Sequence, residues 1–202
     1  MEQSILGKYE KAAKSANVWG KESLKATKWF EAIVATTRGN SRKMLQFDEK
    51  TKVRAKPLPG RMCFFQYDPK TKKTLPYYDR YPLIVVVENV PKKHGGGVYG
   101  LNLHYLPPKM RAKLLFAMND FISNKKYNEA TRFRLSYQLL KKASKMKYFK
   151  PCFKHYLSEH IRSGVVQIEA EDWMTAIFLP TSKFVGATKE TAWTDSKRTI
   201  RG

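Results

Sequence analysis

Apolar side chains recur at i, i+3, i+4, i+7 and i+8 through Ala26, Trp29, Phe30, Ile33 and Val34, which predicts a helix with one apolar face. Lys21, Lys25 and Lys28 take other positions on the same turns. The stretch from Thr36 to Pro59 is polar and basic and predicts an irregular connection. The period then changes. Met62 to Tyr67, Leu83 to Val87 and Val98 to Tyr105 are short apolar runs that predict strands. Leu83 to Val87 has no polar break, so it predicts a central strand covered on both faces. Asp68-Pro69-Lys70-Thr71-Lys72-Lys73 and His94-Gly95-Gly96-Gly97 supply the turns, the second as a flexible hairpin. Leu106-Pro107-Pro108 opens a helix with the stripe Met110, Leu114, Ala117, Met118 and Phe121. Further helices are predicted from Asn128 to Ser144, with Phe133, Tyr137 and Leu140 inward, and from Phe149 to Ile161. A strand from Val165 to Ile168, a short helix from Ala170 to Leu179 and a polar tail from Ala187 complete the pattern.

These elements predict an α+β fold: a small SH3-like antiparallel β-barrel or sheet flanked by basic helices. Residues 1–57 read as a helical, basic N-terminal extension and linker, 58–106 as the β core, 107–186 as a basic helical part with a short strand, and 187–202 as a polar tail.

Charge changes the picture most. Lysine and arginine total 39 against 17 acids, for a formal net charge of +22. Half of that excess lies in residues 109–163, where 14 bases face 3 acids. Acids are too few there to balance the surface, so a polyanion is the expected partner. The candidate phosphate contacts are Lys109, Arg111, Lys113, Lys125, Lys126, Arg132, Arg134, Lys141, Lys142, Lys145, Lys147, Lys150 and Lys154. Lys70, Lys72, Lys73 and Arg80 are loop candidates. Such contacts hold phosphate without reading sequence. Tyr148, Phe149, Phe153 and Tyr156 are interleaved with these bases and offer faces for stacking on a frayed end. No apolar run approaches the roughly 20 residues of a membrane span, so no membrane partner is expected. The N-terminus does not read as a signal peptide. Cys63 and Cys152 predict free, buried thiols.

Candidate chemistry is sparse. His94, His104, His155 and His160 have no zinc spacing, and no metal or other cofactor is expected. Asp68, Asp79 and Glu88 beside the β runs, and Glu169, Glu171 and Asp172 later, are the carboxylates a metal-dependent nuclease would draw on; ahead of Trp173, Asp172 suits the first turn of a helix better. Asp79 and Arg80 predict a structural ion pair. Arg80 ahead of Pro82 and a valine-rich strand also resembles the arrangement in ribonuclease toxins on SH3-like barrels, which keeps a nuclease as the enzymatic alternative.

Three blocks, PGRMCFFQYDPKTKKTLPYYDRYPL (59–83), YGLNLHYLPPKMRAKLL (99–115) and IEAEDWMTAIFLPTSKFVGA (168–187), resemble the DNA end protector proteins of T-even-type contractile-tailed bacteriophages. Residues 1–57 do not contribute to that resemblance. It implies a non-enzymatic virion protein, in the host cytoplasm during assembly. Its partners would be the ends of packaged double-stranded DNA, together with portal, neck or head proteins as the head is completed. A structural head or neck component without direct end protection is the alternative within that setting.

Overall fold

In the computed structural model the described residues are 11–18, 52–54, 56–122 and 147–201, with single positions 25, 28, 29, 32, 42 and 138 between them. Strands β1 (Lys52–Arg54), β2 (Met62–Phe64), β4 (Leu83–Asn89), β5 (Val98–Asn102), β6 (Phe153–Tyr156) and β7 (Val165–Ile168) form one antiparallel sheet in the order β1-β7-β2-β4-β5-β6. A second, two-stranded sheet pairs β3 (Tyr78–Asp79) with β8 (Phe184–Val185). Three helices are named here: α1 (Pro108–Ile122), α2 (Trp173–Ala176) and α3 (Lys189–Arg201). The protein is therefore α+β.

Among the described residues the large sheet is open, with β1 and β6 at its two edges, and not the closed barrel that the short strands predict. The sheet grows outward on both sides of the β2-β4-β5 meander. β7 joins β2 and β1 joins β7 on one side, and β6 joins β5 on the other. Strands from outside 58–106 thus complete the sheet.

β4 forms where the sequence is β-branched and uninterrupted, and Leu83 to Val87 are all buried. Burying five such side chains is worth about 1.5–3 kcal/mol each. Their alternation divides the core. Leu83, Val85 and Val87 face a large cluster with Met62, Phe64, Leu101, Leu115, Trp173 and Ile177, roofed by α1 and α2. Ile84 and Val86 face a smaller cluster with Cys63, Phe65, Tyr67 and Tyr156. There the rings of Tyr67 and Tyr156 meet edge-on, 4.9 Å between centroids.

Two segments differ from their predicted form. Phe149 to Ile161 is not a helix: a 3₁₀ turn (Lys147–Cys152) contains Pro151, and β6 follows it. Proline removes an N–H that a helix needs, and the free edge of β5 takes up the next four residues instead. The predicted polar tail is helix α3. Thr188 Oγ1 accepts from the Thr191 N–H at its start, and Ala192 and Ser196 are buried one turn apart. The Trp193 Nε1–H donates to the His104 carbonyl at 2.9 Å.

The His94-Gly95-Gly96-Gly97 hairpin is a fixed turn. Its three glycines all have positive φ, and the Gly95 and Gly96 N–H groups donate to Lys92 and Pro91 carbonyls. His155 Nε2 donates to the Gly96 carbonyl at 2.7 Å. Both cysteines are free and buried, and burial raises the Cys63 thiol to about 11 and the Cys152 thiol to about 12. The predicted helices around Ala26–Val34 and Asn128–Ser144 lie largely outside the described residues.

Candidate nucleic-acid interface

The first cationic patch is built on α1. Pro107 and Pro108 set its first turn, where the Met110 and Arg111 N–H groups donate to the Pro107 carbonyl. Ala112, Leu114 and Leu115 turn into the core, which leaves Lys109 and Lys113 exposed one turn apart on the outer face. A groove of about 460 Å³ runs between them and Phe149, with Met110 in its wall. Lys150, the next residue after Phe149, is exposed. Lys154 is half-buried, its Nζ 4.5 Å from the centre of the Tyr105 ring, and burial lowers its pKa below the ordinary lysine value.

Arg111 shares the charge of its neighbours but not their position. It is 4% exposed, and its guanidinium donates to the carbonyls of Leu106 (2.7 Å), Ile177 (2.7 Å) and His104 (3.5 Å). Ile177 is the C-cap of α2, so its carbonyl lacks a partner within that helix. Burial lowers the Arg111 pKa to about 10. It is a structural cation inside the molecule and not a surface contact. Of the predicted stripe, Leu114 is buried and Met110 packs half-buried against the core; Arg111, Ala112 and Leu115 join them on the inward face, and the side chains of Ala117, Met118 and Phe121 lie outside the described residues.

A second patch gathers the loop candidates. The Tyr67 N–H donates to the Arg80 carbonyl and the Arg162 N–H to the Gln66 carbonyl, which sets residues 66–73, 80 and 162 side by side. Lys70, Lys73, Arg80 and Arg162 are exposed. Lys72 is exposed too but pairs with Asp68 at 2.9 Å, which holds the Asp68 carboxyl below its usual range. Arg162 is absent from the sequence-based candidates; only the fold brings it beside Gln66 and near Asp68.

Lys125, Lys126, Arg132, Arg134, Lys141, Lys142 and Lys145 lie outside the described residues, and of Lys147 only the backbone is described. Among the interleaved aromatics, Phe149 borders the groove. Phe153 stacks on Tyr99 at 5.2 Å, and the buried Tyr156 hydroxyl accepts from Asn102.

Beneath these surfaces lies a buried polar network. Asp79 Oδ2 accepts from His104 Nδ1 (2.6 Å) and Asn102 Nδ2 (3.1 Å), and Oδ1 from the Tyr81 and Lys183 N–H groups. His104 Nε2 lies 2.9 Å from Thr181 Oγ1. Burial lowers the His104 pKa against the pull of Asp79, so the neutral ring donates from Nδ1 and accepts the Thr181 hydroxyl at Nε2. Carboxylate, imidazole and hydroxyl in series form the order of an activated nucleophile. Here His104 and Thr181 are both 0% exposed, so the hydroxyl is held inside the protein and not at its surface. The trio ties β3 to the turn after β5 and to the chain ahead of β8. Asp79 is thus partnered by His104 and not by Arg80, which is exposed.

The later carboxylates weighed for a nuclease differ in their surroundings, and the side chain of Glu171 lies outside the described residues. Glu169 accepts from Gln167 Nε2 at 3.2 Å. Asp172 precedes α2, but its side chain makes no capping hydrogen bond. Among the described residues no group of three or more His, Cys, Asp or Glu is placed to hold a metal ion, and no helix is long and apolar enough to cross a membrane.

Residues 8–198 match the family described as the phage T4 terminal DNA protecting protein. The chain belongs to this family. The match begins at residue 8, so it extends through the N-terminal part that the three sequence blocks leave out. Both cationic patches, the groove beside Phe149 and the Asp79–His104–Thr181 network fall within the stretch shared with the terminal DNA protecting family. No curated protein and no solved structure matches the chain.

Proposed function

We propose that this protein binds the ends of double-stranded DNA through its exposed lysines and arginines and shields them by occupying them. The observation that carries this reading is the placement of Lys109 and Lys113 one turn apart on the outer face of α1, with Lys150 next to the groove they border. Each cation that neutralises a phosphate releases a counterion, which supplies affinity without reading base sequence. Exclusion of an exonuclease needs no bond to be made or broken, so the protein acts as a binder and not as an enzyme. Its family supports a phage setting. In that setting the protein rides in the virion on the packaged DNA and meets portal, neck or head proteins as the head is completed.

A salt titration of DNA binding tests this. For about six phosphate contacts, log affinity falls with log salt at a slope near −5, and two duplexes of unrelated sequence bind alike. A slope near zero would reject phosphate binding and favour a head or neck component whose charge merely faces the DNA.

A further inference from the structure

Cationic contacts explain adhesion to DNA but not a preference for its ends, because phosphates are the same at an end and in the interior. We propose that the groove between α1 and Phe149 holds the unpaired terminal nucleotide of a DNA end. This rests on the end-binding reading above and adds what in the end is recognised.

The groove divides by chemistry as a nucleotide does. Met110 and Phe149 are half-buried and packed against the large core cluster, so they form a fixed apolar wall. Lys109 and Lys113 are exposed along its rim, and Lys150 follows directly on Phe149. Its volume of about 460 Å³ falls within the range of roughly 300–1,000 Å³ typical of small-ligand sites. A base stacks on the aromatic face while the adjoining phosphates meet the lysines, and such stacking is tolerant of sequence. The bases of an intact duplex interior are already stacked on each other and have no free face to offer. A frayed end or a short overhang has one. The groove therefore distinguishes an end from an interior, which the surrounding charge does not. Among the described residues the lining offers no carboxylate or side-chain amide, and its pairing of an aromatic ring with lysines suits a nucleotide better than a partner's peptide.

The test uses the full chain and two duplexes of one sequence, one with open ends and a single-nucleotide overhang, the other closed into a relaxed, covalently sealed circle that has neither ends nor unpaired bases. 2-Aminopurine is placed at the terminal position or in the interior. On saturation the terminal probe is quenched and the interior probe is not, and the open duplex binds more tightly than the closed one. Phe149→Leu keeps an apolar side chain against the core; it weakens binding to the open duplex by about fivefold or more and leaves the closed duplex unaffected. An unquenched terminal probe, equal wild-type affinity for the two duplexes, or equal weakening of both by Phe149→Leu overturns the proposal. Since the probe measurement needs no substitution, it decides the matter even where the variant folds poorly. Equal, salt-dependent binding of both duplexes leaves the phosphate-binding reading intact, whereas no binding to either overturns both.

Discussion

His104 Nδ1 lies 2.6 Å from Asp79 Oδ2, and neither side chain reaches solvent. Burial holds the histidine below its ordinary value of 6.5, Asp79 opposes that shift, and the neighbouring Arg111 and Arg42 charges reinforce it. The unfolded chain thus takes up a proton at His104 as pH falls below about 6.5, while the folded protein resists it. Stability from this site is fully present above that pH and is lost below it, by up to about 1.4 kcal/mol per pH unit until the folded pKa is reached. Denaturant unfolding between pH 7.5 and 5.0 measures the slope. His104→Gln flattens that part of it, and an identical slope in the variant would contradict the assignment.

Removing the carboxylate strands four donors at once. Asp79→Ala leaves His104, Asn102 and the Tyr81 and Lys183 N–H groups without their acceptor. The expected loss is about 3–5 kcal/mol of folding stability. Arg80→Gln, at an exposed position, shifts stability by no more than about 0.5 kcal/mol. Comparable losses in the two variants would restore an Asp79–Arg80 pair.

Backbone proximity separates two glycines. A Cβ on Gly97 would lie 1.9 Å from the Tyr156 carbonyl oxygen, at a φ of +89°. Neither the β5–β6 pairing nor the backbone can give way cheaply, so Gly97→Ala destabilises by about 2–4 kcal/mol. At Gly100 the nearest atom is Ile84 Cδ1, 2.8 Å away at the end of a side chain that rotates. Gly100→Ala is correspondingly milder, and thermal melts of the pair reveal whether that order holds.

Helix α3 is held at its middle. Trp193 donates to the His104 carbonyl, Arg111 lies 5.8 Å from its ring, and the Tyr77 hydroxyl donates to Asp195. Trp193→Ala is expected to cost about 2–4 kcal/mol and to expose residues 189–201 to proteolysis. Unchanged melting and cleavage would show that the helix does not brace the network beneath it.

The elements legible in the sequence are those whose cause is local. Leu83 to Val87 reads as a covered strand because its branched side chains have no polar break. Pro107-Pro108 announces α1, and the Asp68–Lys73 turn carries its own turn residues. What escapes the sequence depends on partners far along the chain. Arg111 looks like its lysine neighbours until the carbonyls of Leu106 and Ile177 surround it. Helix α3 has few apolar residues, so its pattern stays below a clear helical stripe. β6 is drawn out of a helix-like stretch by the open edge of β5. Of the candidate site, Lys109, Lys113 and Lys150 were readable from charge, whereas Arg162 and the role of Asp79 with His104 depended on the fold.

In the proposed function, cations on the outer face of α1 and beside the groove hold a DNA end and keep nucleases from it. An exonuclease-protection assay on linear duplex DNA tests it most directly, comparing the wild-type chain with Lys109→Gln/Lys113→Gln/Lys150→Gln. All three side chains are exposed, so the variant folds normally. The wild-type chain prolongs the life of the DNA, and the triple variant loses most of that protection at physiological salt and regains part of it at low salt. Protection equal to wild type across the salt range, from a variant that folds and melts normally, would contradict the account.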